Sequence, residues 1–148
     1  MDAFQRGLLE EFQIQHITLV ARKKDKFLQQ HADLLTPEIQ IIEGDIATLT
    51  SLPLCDIVIH AAASTNFDDY ALDGEKALAQ MENSMRNFVE LIRSNGKQAK
   101  VVLCSSGAVY GKQPIDLEVI LETFPLPDDF SALSLGKQWY LRGKRFAE

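Results

Sequence analysis

Tyr140 and Lys144 stand four residues apart in the segment Tyr140-Leu-Arg-Gly-Lys144. On a helix that spacing puts both side chains on one face, where an ammonium beside a phenol favours its ionised form. A phenol in that position can work as a general acid or base. The pair alone is weak evidence. With three tyrosines and nine lysines among 148 residues, roughly one such sequence in five carries it by chance. Gly143 inside the motif also costs a helix about 1 kcal/mol relative to alanine. A second polar group, Ser105-Ser106, closes an apolar run that starts at Lys100. A third feature is the basic cluster Arg22, Lys23, Lys24 and Lys26, which follows another apolar run.

Those groups need elements to hold them, and the sequence supplies a regular alternation. Ile17 to Val20 and Ile39 to Ile42 are short β-rich runs, with a short helix around Lys24 to His31 between them. Asp56 to Ala63 and Lys100 to Ser106 are continuously apolar rather than alternating, the pattern of parallel strands covered on both faces. Between them, Leu72, Leu78, Met81, Met85, Phe88, Val89 and Ile92 recur at helical intervals, so Tyr70 to Ser94 reads as one long helix, stopped by Asn95-Gly96. Residues 3 to 13 read as an amphipathic helix with Phe4, Leu8, Leu9 and Phe12 on its apolar stripe. Gly107 to Leu133 is a long loop holding Pro114, Pro125 and Pro127, and helical character resumes from Ser134 to Glu148. Strands alternating with helices imply an α/β fold with right-handed crossovers. On such a sheet, ligands gather at the carboxyl ends of the strands.

Composition narrows the class. The chain has 15 basic and 21 acidic residues, a formal charge of −6, which argues against a nucleic-acid binder. No apolar run approaches the roughly 20 residues of a membrane span and no signal core follows Met1, so the expected location is cytoplasmic. Cys55 and Cys104 read as small core fillers, and His16, His31 and His60 are too dispersed for a metal site.

Taken in order, these segments resemble the extended short-chain dehydrogenase/reductase family, the NAD(P)-dependent epimerases and dehydratases. Ile17-Thr-Leu-Val-Ala-Arg22 is similar to its second strand, Glu43-Gly-Asp-Ile46 to the segment after the third, and Val58-Ile-His-Ala-Ala-Ala63 to the fourth. Arg86 to Glu90 is similar to a family helix segment, Ser105-Ser-Gly-Ala-Val-Tyr-Gly111 to the fifth strand end, and Tyr140 to Glu148 to the Tyr-x-x-x-Lys helix. The resemblance implies Tyr140 as catalytic acid/base. It implies that Lys144 holds the nicotinamide ribose and favours the Tyr140 phenolate, and that Ser106 hydrogen-bonds the reacting oxygen. It further implies Asp45 and Ile46 beside the adenine, with Ala61, Ala62 and Ala63 letting the cofactor backbone approach. Asp45 reads equally well as a turn or cap residue, and the alanines as close packing. At the second strand end Ala21 stands where the family often has aspartate, followed by Arg22 and Lys23, so the implied cofactor is NADP(H) rather than NAD. The implied substrate is a small molecule, a nucleotide sugar. A thioester reductase or hydroxysteroid-type branch is the alternative, since His60-Ala-Ala-Ala-Ser-Thr-Asn-Phe67 is also similar to a segment found there.

The sequence departs from the family in ways that matter. Its eight glycines, at 7, 44, 74, 96, 107, 111, 136 and 143, form no Gly-x-x-Gly-x-x-Gly turn, and that turn is where a dinucleotide pyrophosphate sits. Met81 stands where the family keeps asparagine, and Ser84-Met85 where it keeps Gly-Thr. The expectation is therefore an α/β, incomplete Rossmann-type doubly wound parallel sheet lacking its first strand and glycine-rich turn. Residues 1–148 would be one partial domain with no substrate domain, a fragment inactive by itself and prone to form homo-oligomers. A non-catalytic interaction domain that has lost the cofactor is the rival from another class.

Overall fold

The structure, a computed structural model, describes residues 7–32, 36–64, 67–95 and 99–148. Its elements run α1 (Leu8–Glu11), β1 (Ile17–Ala21), α2 (Lys24–Gln30), β2 (Ile39–Glu43), β3 (Ile57–His60), α3 (Phe67–Leu72), α4 (Gly74–Ser94), β4 (Lys100–Leu103), a 3₁₀ turn (Gly107–Tyr110) and α5 (Leu135–Ala147). The described strands form two parallel pairs. β1 pairs with β2 from Ile17↔Ile39 to Ala21↔Glu43, and β3 pairs with β4 from Ile57↔Lys100 to His60↔Leu103. The two pairs are separate two-stranded sheets.

Four expectations change. The long crossover helix is two helices, α3 and α4, broken at Asp73. There the backbone leaves the helical region and the Asp73 carboxylate accepts a hydrogen bond from the Lys76 amide at 3.2 Å, capping α4. Gly74 follows because a Cβ there would stand 2.0 Å from the Trp139 ring, so the corner is set by a residue on α5. The strands β3 and β4 are covered on one face, not two. His60 lies edge-on to Phe88 of α4, with ring centroids 4.3 Å apart, while Ile57 (59% exposed), Ile59 (65%) and Val102 (50%) face outward. An open apolar face of this kind is a surface on which other chains pair. Cys104 is exposed and Cys55 half-buried, so neither fills the core. At the N-terminal end only Leu8–Glu11 is helical among the described residues; Phe4 lies outside them, and Phe12 is exposed rather than buried.

The core sits between helices. Phe88 and Leu91 of α4 pack with Tyr140 and Leu141 of α5, and Tyr70 of α3 and Val109 of the 3₁₀ turn complete it. Asn87 on α4 ties the β2–β3 connection to this core through bonds from Nδ2 to the carbonyls of Ile46 (2.7 Å) and Leu49 (2.8 Å). No helix among the described residues is long and apolar enough to cross a membrane.

Candidate functional site

On α5, Tyr140 and Lys144 face inward together, as the four-residue spacing requires, and both are buried. The Lys144 ammonium lies 5.8 Å from the Tyr140 ring centroid. Its Nζ donates to the carbonyl of Cys104 at 2.8 Å, at the carboxyl end of β4 and two residues before Ser106. Desolvation of a lysine is tolerated only with such a partner. Arg145 adds a second tie, with Nε and Nη2 donating to the Val109 carbonyl at 3.1 and 2.8 Å. These bonds dock α5 onto the end of β4, bringing Tyr140, Lys144 and the Ser106 segment to one edge. Ser106 caps the 3₁₀ turn, its Oγ accepting from the Ala108 amide at 3.2 Å. Neighbouring Ser105 donates to the Glu148 carboxylate.

Gly143, which sequence alone scores as a helix penalty, has a packing reason. A Cβ there would stand 2.5 Å from Met81 Sδ, so α5 and α4 can approach this closely only without it.

A second phenol completes the surroundings. Tyr70, 1% exposed, packs edge-on to Tyr140 with ring centroids 5.6 Å apart and an interplanar angle of 79°. Its hydroxyl donates to the Ser64 carbonyl at 2.9 Å and lies 3.1 Å from Met81 Sδ. Burial first, then the proximity of Tyr140 and Asp69, pushes Tyr70 up to about 12. At the end of β3, His60 is 9% exposed and its Nε2 has no hydrogen-bond partner. Burial, with Lys144 nearby, holds its imidazole below the ordinary histidine value.

The remaining site candidates all follow carboxyl ends of strands. Arg22 and Lys23 follow β1 and are exposed; Asp45 and Ile46 follow β2; Ala61 and Ala62, exposed, and Ala63, half-buried, follow β3. Asp45 has a turn role, its Oδ1 accepting from the Ala47 amide at 2.9 Å, and the Ile46 carbonyl is held by Asn87. One carboxylate escaped the sequence reading. Glu43, the last residue of β2, accepts from the Lys24 amide at 2.8 Å, which sets an acid beside the basic cluster. Parallel pairing of β1 with β2 brings it there, and the signal was available only as a β2 residue facing the next strand's end.

The sequence matches the NAD dependent epimerase/dehydratase family over residues 6–134, most of the chain, and the protein belongs to that family. The match stops just short of α5, so the Tyr140 and Lys144 assignments rest on geometry and motif. No curated protein matches the sequence.

The residues present fit only part of a dinucleotide. Arg22 and Lys23 follow the carboxyl end of β1, Asp45 follows that of β2, and Lys144 is bonded at that of β4. The pyrophosphate between them finds no glycine turn anywhere in the sequence.

Proposed function

We propose that this chain carries the acid/base edge of an NADP-dependent epimerase, dehydratase or reductase acting on a small hydroxylated molecule such as a nucleotide sugar. Tyr140 would give or take the proton of the reacting hydroxyl. Lys144 would hold a ribose hydroxyl, and Ser106 would hydrogen-bond the reacting oxygen. A bound nicotinamide supplies the hydride chemistry. The observation that carries this reading is the bond from Lys144 Nζ to the Cys104 carbonyl, which fixes the Tyr140 face of α5 at the strand end that bears Ser106. The division of the strands into two separate pairs supports a further segment, on this or another chain, that would lie between β1 and β3 and bring the pyrophosphate turn.

A second reading has an observation of its own. The absent glycine turn favours a non-catalytic interaction domain that keeps the fold and binds no cofactor. Titration of the purified chain with NADPH, followed by nicotinamide fluorescence, separates the two. Saturable binding, tighter for NADPH than for NADH by about tenfold and weakened by Arg22→Ala, supports the enzyme reading. No saturation up to millimolar NADPH supports the interaction domain.

A further inference from the structure

We propose that Tyr70 is a positioning residue for Tyr140: its ring fixes the edge-on orientation of the Tyr140 ring, while its own hydroxyl is anchored to the Ser64 carbonyl. The functional side of this assignment rests on the acid/base reading of Tyr140.

The case begins with α3. This helix has six residues, Phe67–Leu72, too few to be stable without tertiary contacts. Asp68, Asp69, Ala71 and Leu72 are exposed, Leu72 at 91%. Tyr70 is buried, and it lies edge-on against Tyr140 of the motif helix α5. Phenylalanine would fill the same space, so the hydroxyl needs its own explanation. It ends between the Ser64 carbonyl, just before α3, and Met81 Sδ of α4, two contacts that fix where the far end of the ring lies. Tyr140 is then held between that ring and the Lys144 ammonium.

Electrostatics agree with the geometry. The groups facing the pair are Asp69 on α3, the neutral thioether of Met81 on α4, and Lys144 on α5, with His60 of β3 beyond Lys144. Burial, Tyr140 and Asp69 all raise Tyr70, which stays protonated through the physiological range. Lys144 lies beside Tyr140, while Tyr70 has the acid at its side.

The test uses the 148-residue chain labelled with ¹³Cζ-tyrosine, its three signals assigned by single Tyr→Phe variants. In the unmodified chain the Tyr70 signal keeps its protonated position at pH 11, where a free phenol has ionised. In Tyr140→Phe it begins to move below pH 11. Ring flipping of Tyr140, read from aromatic exchange at neutral pH, speeds up by about tenfold or more in Tyr70→Leu and by less in Tyr70→Phe, which keeps the ring but loses its hydroxyl anchors. A Tyr70 signal that titrates with free tyrosine, or a Tyr140 flip rate unchanged in Tyr70→Leu, overturns the proposal. Should Tyr70→Leu fail to fold, the Tyr140 flip rate in Tyr70→Phe decides: faster supports the anchored ring, unchanged overturns it. The NADPH titration is independent: tyrosine coupling without NADPH binding removes the cofactor reading and leaves the positioning contact, and NADPH binding without coupling does the reverse.

Discussion

The two ends of the sheet system are built differently. Around β3, β4 and the helices α3, α4 and α5 lie six of the seven buried apolar side chains among the described residues, Tyr70, Phe88, Leu91, Val109, Tyr140 and Leu141. Among the described residues of the β1–α2–β2 unit only Ile39 is buried, and α2 buries none of its residues. The acid/base candidates sit in the packed half, where rotamers are fixed by neighbours. Arg22, Lys23 and Asp45 sit in the open half, which Asn87 tethers through two backbone carbonyls. The chain thus packs the Tyr140 end tightly and leaves the Arg22 end open.

The largest effect should come from Leu141→Ala. Its side chain is fully buried, and leucine truncation at such a site costs about 3 kcal/mol. Ile41→Ala in half-buried β2 should cost about 1 kcal/mol, because less apolar area leaves water on folding. Urea midpoints measure both, and equal losses would break the contrast between the halves. A smaller effect is expected for Gly143→Ala. The new methyl meets Met81 Sδ, a strain of about 2 kcal/mol that the better helix propensity of alanine offsets by about 1. In a Met81→Ala background the same substitution should be neutral or stabilising. A double-mutant cycle without coupling would mean that helix spacing is not set by this contact.

Sequence alone made much of this legible, and the misses share one cause. The four strands stand out as β-branched runs, and the shared face of Tyr140 and Lys144 follows from helical spacing. The break at Asp73 does not, because residues on both sides keep helical periodicity and the corner depends on Trp139, far along the chain. The continuous apolar runs of β3 and β4 indicate two covered faces, whereas the described residues cover one. Tyr70 and Asn87 carry no local signal either: their partners come together only when α3, α4 and α5 pack. Gly143 was visible as a cost whose reason, Met81, lies on another helix.

The smallest predicted effect sharpens the contrast by placing an acid-sensitive group in the packed half. Burial, aided by Lys144, keeps His60 below its ordinary histidine value in the folded chain. Above about pH 6.5 the imidazole is neutral whether the chain is folded or unfolded, so it contributes no slope. As pH falls below that point the unfolded chain takes up a proton that the folded chain resists, and stability declines until the folded value is reached. Replacing His60 by leucine removes both the proton site and the unpartnered Nε2 while keeping apolar bulk against Phe88. Melting temperatures of the unmodified chain should therefore fall by a few degrees between pH 7 and pH 5, and those of His60→Leu should fall less. An acid limb just as steep in His60→Leu would place the sensitivity elsewhere, and the imidazole at the end of β3 would then be a packing element with no part in the pH response.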